Sequence, residues 1–259
     1  MSYQNQSLAK RIAIFSFNIM AYGIGAASLV YLILVYGSII NAQNGPVFMG
    51  PSFNNVFLSV LWNALLVVGF GYKHSVMASI KFKEKITKWI PDAVNRGFYL
   101  LATAGYLVFI IAFWSPVEGV LWQSEGAAYV SIMSVFLFGW GFLFIATFMI
   151  DHFELFGLKQ GYYYLKNMPT PELKFVKTGF YAYVRHPIMT GMLIGIWCIP
   201  TMTNNHLIMS VFLSVYVWIG VYFEERKLKR ILGEQYTQYC EEVGSVLPKI
   251  RLFNQQAVA

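Results

Sequence analysis

Polar and charged side chains border the last two apolar segments of the chain, in a pattern that suits the binding of a small charged molecule. Arg185 and His186 directly precede Pro187 at the start of one segment, and Glu224 and Glu225 follow the next. Proline suits the first turn of a helix, where unpaired backbone N–H groups and the helix dipole favour an anion. A ligand carboxylate therefore suits Arg185 and His186, and a ligand ammonium or hydroxyl group suits the glutamates.

A helical hairpin is needed to bring these groups together. The apolar segments lie at about residues 188–202 and 207–223, and their polar connection lies at residues 201–205. Antiparallel helices, each about 25 Å long at about 1.5 Å per residue, return Glu224 to the level of Arg185. Neighbouring helical residues point roughly 100° apart, so we expect one glutamate of the pair to face the pocket. The alternatives are a snorkelling arginine, an interfacial histidine and a surface ion pair.

The composition predicts that these helices lie in a membrane. The 259 residues are 57% hydrophobic and 12% charged, whereas soluble domains are roughly a quarter charged. A helix of about 20 apolar residues crosses a hydrocarbon core of roughly 30 Å. We predict an all-α, polytopic transmembrane protein that forms a single domain over residues 1–259. Its six spans lie at about residues 12–35, 57–71, 98–114, 129–150, 188–202 and 207–223.

The basic residues predict how the spans are oriented. With six spans, all 19 Lys and Arg residues fall on one side, and Glu118 and Glu125 are the charges of the opposite loops. By the positive-inside rule, both termini and the charged end of the hairpin are cytoplasmic. The net charge of +7 therefore indicates membrane orientation rather than nucleic-acid binding. Cys198 and Cys240 are expected to be free thiols, and four histidines without close spacing predict no metal site.

Two histidines on the predicted cytoplasmic side are candidates for a general base. His74 follows the second span, and His152 lies beside Asp151 after the fourth. An imidazole accepts protons near neutral pH, and a neighbouring carboxylate can tune its basicity. For each histidine, the alternative is an interfacial side chain that bonds to backbone or to water.

The motifs resemble a known superfamily of membrane enzymes. The Arg-His-Pro and Glu-Glu motifs, with the tail at residues 233–248, resemble the isoprenylcysteine carboxyl methyltransferase and phospholipid methyltransferase superfamily. Residues 73–78 and 151–160 are similar to bacterial methanethiol S-methyltransferases. Together the two resemblances span most of the chain, and residues 178–248 are the expected cofactor-binding hairpin and tail.

The resemblance implies methyl transfer from S-adenosylmethionine to methanethiol, which gives dimethyl sulfide and S-adenosylhomocysteine. Tyrosines near the motifs can stack on adenosine or can belong to the aromatic belt at the membrane surface. The candidate cofactor-binding residues are Tyr183, Arg185, His186, Pro187, Glu224, Glu225, Tyr236 and Tyr239. The candidate catalytic residues are His74, His152 and Asp151.

The expected surroundings are a bacterial inner membrane, with the active site facing the cytosol. The expected partners are the lipid bilayer and a small thiol, and the oligomeric state is open. Two alternatives remain at this point. The acceptor can be a prenylated cysteine, a phospholipid or a larger thiol, or the protein can be a non-catalytic scaffold or transporter.

Overall fold

Helices make up most of the structure, a computed structural model that describes residues 6–40, 50–171 and 175–249. These ranges include two 3₁₀ turns, Asp92–Val94 and Gly179–Ala182. They also include a two-stranded antiparallel sheet, in which Val120–Gln123 pairs with Thr201–Thr203. The elements in chain order are α1 (Leu8–Tyr36), α2 (Val56–Ala78), α3 (Ile80–Ile86), α4 (Asn95–Phe113), β1 (Val120–Gln123), α5 (Gly126–Met149), α6 (His152–Leu155), α7 (Leu158–Leu165), α8 (Pro187–Trp197), β2 (Thr201–Thr203), α9 (Asn204–Leu232) and α10 (Glu234–Glu242).

Five helices of the described ranges are long and apolar enough to cross a membrane: α1, α2, α4 with its preceding turn, α5 and α9. The prediction of an all-α polytopic membrane fold is confirmed. The remaining predicted span, the fifth, corresponds to α8, a shorter apolar helix of 11 residues. The count of six spans and the cytoplasmic position of both termini stay predictions.

The fifth predicted span differs from the expected continuous helix. Residues 188–202 are helical only as far as the end of Pro187–Trp197. Pro200 has no backbone N–H and cannot extend the helix. The expected polar turn at residues 201–205 is instead the strand β2, whose last residue, Thr203, caps α9, and the first two residues of α9. Extended chain covers about 3.3 Å per residue against about 1.5 Å in a helix, so this short helix and strand can match the reach of α9.

The last long helix continues beyond its predicted end. α9 runs past Phe223 to Leu232, so Glu224 and Glu225 lie inside the helix rather than after it. Arg185 nevertheless lies 2.6 Å from Glu225. The hairpin therefore returns to its starting level, as its length predicts.

Three glycines allow the backbones of α5 and α8 to touch. A Cβ atom added at Gly139 would lie 2.7 Å from the amide nitrogen of Gly195 and 2.9 Å from the carbonyl oxygen of Gly191. Small residues four positions apart are a common means of close helix approach in membranes. This contact fixes α8 against α5 and so helps to position the residues that begin α8.

The apolar core lies where α1, α4, α5, α8 and α9 meet. A polar cross-link ties α2 to the end of α4, because the Asn63 amide exchanges two hydrogen bonds of 2.8 Å with the backbone of Ser115. Both groups are buried and paired, as buried polar groups generally are. The core residues are Leu32, Tyr36, Ile111, Phe136, Trp140, Leu143, Ile196, Ile199, Met202 and Leu213.

Gly139→Ala should destabilise the helix pair, because the new methyl group would overlap backbone atoms of α8. Such overpacking costs about 1–3 kcal/mol. We expect a lower midpoint of thermal unfolding in detergent. Gly141→Ala is the matched control on the same helix, since a Cβ at Gly141 would meet nothing within 4 Å. Equal midpoints for the two variants would contradict the close contact.

Candidate functional site

An ion pair joins the start of α8 to α9. The guanidinium of Arg185 donates to Glu225 Oε1 through Nε at 3.0 Å and through Nη2 at 2.6 Å. Its third nitrogen, Nη1, donates to the carbonyl oxygens of Cys240 and Val243. Arg185 therefore connects the start of α8 to α9, to α10 and to the residue after α10. Its planar guanidinium group offers several donors for these bonds, whereas the single ammonium group of a lysine could not make them all.

The tail after α10 covers the beginning of α8. The backbone N–H groups of Arg185 and His186 donate to the carbonyl oxygens of Gly244 at 2.8 Å and Ser245 at 3.1 Å. The Ser245 hydroxyl donates to Glu225 Oε1 at 3.1 Å. The tail thus contributes both backbone and side-chain groups to the site.

His186 lies between the two glutamates. Its Nε2 is 3.1 Å from Glu225 Oε1, and its Nδ1 is 3.6 Å from Glu224 Oε2. The two carboxylates differ in exposure, with 51% of the Glu224 side chain exposed against 18% for Glu225. Glu225 is held by Arg185, His186 and Ser245, and Glu224 is the carboxylate that faces outward from this cluster.

Aromatic side chains line the same region. Tyr236 and Tyr239 are buried, and the Tyr239 hydroxyl donates to the carbonyl oxygen of Tyr181 at 2.5 Å. Burial raises the pKa of Tyr239 to about 12. Among the residues that the structure describes, the Tyr236 hydroxyl is buried without a hydrogen-bond partner, although it lies near the charges of Arg185 and Glu225. An unpaired buried hydroxyl costs free energy, which a ligand can recover by bonding to it.

Tyr183 lies apart from this aromatic group. Its side chain is exposed, at 70% of the fully accessible value. Pro187 occupies the first turn of α8, as its sequence position predicts. The structure thus brings together seven of the eight candidate cofactor residues, and Tyr183 lies at the surface.

Asp151 and His152 form the corner between α5 and α6, but the carboxylate does not orient the imidazole. Asp151 has a positive φ of 92° and caps α6 by accepting from the Glu154 amide at 3.0 Å. Its other oxygen accepts from Lys159. Burial raises the pKa of Asp151, but the bonds from Lys159 and the Glu154 backbone lower it more, so it stays below its usual value.

His152 is instead bonded to two hydroxyl groups. Its Nδ1 is 2.7 Å from Thr147 Oγ1, and its Nε2 is 2.9 Å from the hydroxyl of Tyr22. The side chain is only 3% exposed, and burial lowers its pKa. The ring stacks on Phe148 with centroids 4.1 Å apart.

His74 lies on α2 and bonds across to α4. Its Nε2 bonds to the hydroxyl of Tyr99, and its Nδ1 is 3.5 Å from Thr103 Oγ1. The negative charge of Glu224 acts on the hydroxyls of both Tyr99 and Tyr181. Glu224 therefore acts electrostatically on the His74 pair and also lies 3.6 Å from His186 of the Arg185 cluster.

Sequence reasoning missed Ser245, Tyr99 and Thr103. The motif spacing points to the two histidines and the charged pairs but not to their hydroxyl partners. One available signal is the position of Tyr99 and Thr103 four residues apart on α4, which places both on one helical face.

Arg185→Lys should release the tail, because an ammonium group cannot bond to Glu225 and to two tail carbonyls at once. Removing one partner of a buried ion pair costs about 3–5 kcal/mol, and we expect the lower part of that range since a charge is kept. Hydrogen exchange of the α10 amides should accelerate. Arg226→Lys, at an exposed position of α9, is the control and should leave the exchange unchanged. Unchanged α10 exchange in Arg185→Lys would show that the tail is held by other contacts.

Comparison with known proteins agrees with this site. The phospholipid methyltransferase family model matches residues 129–235. Methanethiol S-methyltransferase of Pseudomonas deceptionensis is 36% identical over 75% of this chain and 74% of its own length. The enzyme of that name from Mycobacterium tuberculosis is 34% identical over 86% of this chain and 94% of its own length. Methanethiol S-methyltransferase 2 of Bradyrhizobium diazoefficiens is 32% identical over 93% of this chain and 92% of its own length. No solved structure matches the chain.

The family match and the five apolar helices confirm the resemblance found in the sequence motifs. The matched segment 129–235 contains α5, α8 and the Glu224–Glu225 pair, and the alignments with the relatives extend over most of the remaining chain. A membrane-embedded bundle with this charged hairpin is thus an integral-membrane methyltransferase, and the chain belongs to the methanethiol S-methyltransferase family.

Proposed function

We propose that this protein transfers a methyl group from S-adenosylmethionine to methanethiol, giving dimethyl sulfide and S-adenosylhomocysteine. The observation that carries the proposal is the similarity to relatives named methanethiol S-methyltransferase, which covers up to 93% of this chain. The charged hairpin supports it independently, because it offers groups for both ends of a zwitterionic methyl donor. A phospholipid is the competing acceptor, since the matching family model bears that name.

The residues of the hairpin fit the proposed methyl donor. Glu224 has a half-exposed carboxylate, which suits an ammonium group or ribose hydroxyls. His186 and the N-terminus of α8, which begins at Pro187, suit the donor's carboxylate. The unpaired hydroxyl of Tyr236 offers a further bond. When bound, the donor supplies a methyl group on a positively charged sulfur.

Arg185 and Glu225 have a different part in this proposal. The contacts of Arg185 are made to Glu225 and to tail carbonyls, so the pair holds the tail in place around the ligand. Tyr239 helps to hold α10 in place beside them, through its hydrogen bond to the carbonyl oxygen of Tyr181. These residues organise the pocket that Glu224 and His186 line.

The position of the site at the membrane edge suits the chemistry. A thiolate and a sulfonium lose their opposite charges as the methyl group moves, so a water-poor site favours the reaction. Holding the two sulfurs in line lowers the barrier further. His74 and His152 are the candidate bases for removing the thiol proton, with Asp151 supporting the position of α6.

We place the site on the cytosolic side of a bacterial inner membrane. All 19 basic residues lie on one side of the predicted topology. In the structure, Lys83, Arg96 and Lys227 come close enough to interact, which gathers cations from α3, α4 and α9 at the end of the bundle that holds Glu224. A methyl donor made in the cytosol can reach such a site directly.

The acceptor can be identified with purified protein in detergent or nanodiscs. With labelled S-adenosylmethionine and methanethiol, we expect labelled dimethyl sulfide in the headspace, measured by gas chromatography. Phosphatidylethanolamine vesicles replace the thiol in a parallel reaction. Labelled phospholipid without dimethyl sulfide would favour the other acceptor, and cofactor binding without either product would overturn both.

Glu224→Gln should weaken binding of S-adenosylmethionine, because the amide keeps the shape but loses the negative charge. Hydrogen bonds to charged groups contribute about 1.5–3 kcal/mol, which corresponds to a roughly 10- to 100-fold rise in Kd. Isothermal calorimetry measures the affinity, and thermal unfolding without ligand should be unchanged. Glu125→Gln, in a loop at the opposite end, is the control. Equal affinity in both variants would remove Glu224 from the proposed site.

A further inference from the structure

Each of the two candidate bases lies in a hydrogen-bonded chain of one threonine, one histidine and one tyrosine. In the first chain, Thr103 Oγ1 donates its hydrogen to the carbonyl oxygen of Tyr99 at 2.8 Å. It can therefore only accept from His74 Nδ1, which must carry the hydrogen. His74 Nε2 is then the acceptor, and the Tyr99 hydroxyl donates to it.

The second chain has the same order. Thr147 Oγ1 donates to the carbonyl oxygen of Phe144 at 2.6 Å, so it accepts from His152 Nδ1. His152 Nε2 accepts in turn from the hydroxyl of Tyr22 at 2.9 Å. Both imidazoles are thus fixed in the tautomer whose basic nitrogen faces a tyrosine hydroxyl.

The surroundings of the two chains differ. His152 is enclosed by aromatic rings and is almost fully buried, which leaves a small molecule no approach to its bonded nitrogen. The enclosing rings are Phe144, Phe148, Phe153 and Phe156. Of the two candidate bases we therefore retain His74, and we assign the His152 chain to structure, because it ties the corner after α5 to α1.

The His74 chain is more open and contacts α9, the helix that carries Glu224. His74 and Tyr99 are both only partly buried. Phe70 stacks on the imidazole with centroids 5.3 Å apart, and Tyr216 of α9 makes an edge contact at 6.1 Å. Glu224, on the same helix as Tyr216, acts electrostatically on the Tyr99 hydroxyl, which relates this chain to the proposed donor site.

We propose that Tyr99 is a catalytic residue that contacts the thiol and relays its proton to His74. This inference rests on the proposed function. The hydroxyl of Tyr99 already donates to the basic nitrogen, so its oxygen lone pairs are available to accept from an S–H group. Phe70 and Tyr216 give the thiol's methyl group an apolar wall, and Thr103 is a positioning residue that fixes the imidazole tautomer.

The relay balances in atoms and charge. The S–H bond breaks as a new O–H bond forms on Tyr99, while the original O–H bond breaks and an N–H bond forms on His74 Nε2. The sulfur keeps the electron pair and forms a bond to the methyl carbon. The donor's carbon–sulfur bond breaks, and its electron pair returns to the donor sulfur, which becomes neutral. The imidazolium later releases its proton to water.

Charged and titratable groups face this pair from each packed helix. On α2, the positively charged Lys73 is next to His74 in the chain, and its ammonium donates to the carbonyl oxygen of Ala102 on α4. On α4, Arg96 acts on the Tyr99 hydroxyl, and on α9 both Tyr216 and Glu224 do so.

Tyr99→Phe removes the relay and keeps the ring. We expect dimethyl sulfide formation at pH 7 to fall by about 100- to 10,000-fold, the usual range for general base catalysis. The remaining rate should rise about tenfold per pH unit below the thiol pKa of roughly 8.5 or higher, because only pre-formed thiolate reacts. The wild-type rate should rise far less over this range. The Kd of S-adenosylmethionine, measured by calorimetry, should change less than about twofold, since binding of the donor does not use the relay.

Tyr22→Phe is the matched control, because it removes the same hydroxyl-to-histidine bond from the enclosed chain. It should retain the wild-type rate and pH profile. His74→Gln is the second active-site variant and should reproduce the loss and the pH slope of Tyr99→Phe. Full activity of Tyr99→Phe, a loss that is equal at every pH, or a matching loss of cofactor affinity would overturn the relay.

The wild-type reaction separates this inference from the function on which it rests. Absence of dimethyl sulfide from wild-type protein overturns the proposed function and the relay with it. Dimethyl sulfide from the wild type together with full activity of Tyr99→Phe overturns the relay alone.

Discussion

The arrangement of the site depends on the ion pair between Arg185 and Glu225. Taking two charges out of water costs several kcal/mol per ion, and only a nearly complete set of hydrogen bonds offsets this cost. The structure supplies that set, since Arg185 also bonds to tail carbonyls and Glu225 also accepts from Ser245. The pair thereby fixes α8, α9 and the tail relative to one another. Glu224 stays out of this pair, and its half-exposed carboxylate can still bind a ligand.

Much of the fold could be predicted from the sequence, because lipid imposes simple requirements on it. Apolar runs of sufficient length indicate helices, and five of the six predicted spans correspond to long helices. The return of Glu225 to Arg185 followed from helix length alone. The short α8 could not be predicted in this way, because hydropathy does not distinguish a helix from an extended segment. Its end depends on Pro200 and on pairing between β2 and β1, which are separated in the sequence by α5 to α8.

The site could be predicted only as far as local spacing reaches. The Arg-His-Pro and Glu-Glu motifs point to charged groups near one another, and the structure brings them together. Which partner each side chain takes depends on how the helices are rotated. Asp151 therefore bonds to Lys159 rather than to the adjacent His152, because its left-handed backbone directs the carboxylate toward α7. Tyr99 and His74 are 25 positions apart and meet only when α4 packs on α2.

The same hydrogen-bonded chain of a threonine, a histidine and a tyrosine appears twice, and the residues around each chain decide whether its role is structural or catalytic. In both cases a threonine that already donates to a helix carbonyl fixes the imidazole tautomer. A closed aromatic enclosure turns the His152 chain into a rigid link, since rotation of the ring would break both bonds and disturb the packing around it. The His74 chain is less enclosed, and in the proposed relay its tyrosine contacts the thiol. Membrane helices thus obtain a structural link and a reactive pair from one hydrogen-bonding pattern, and the difference lies in which apolar residues surround it.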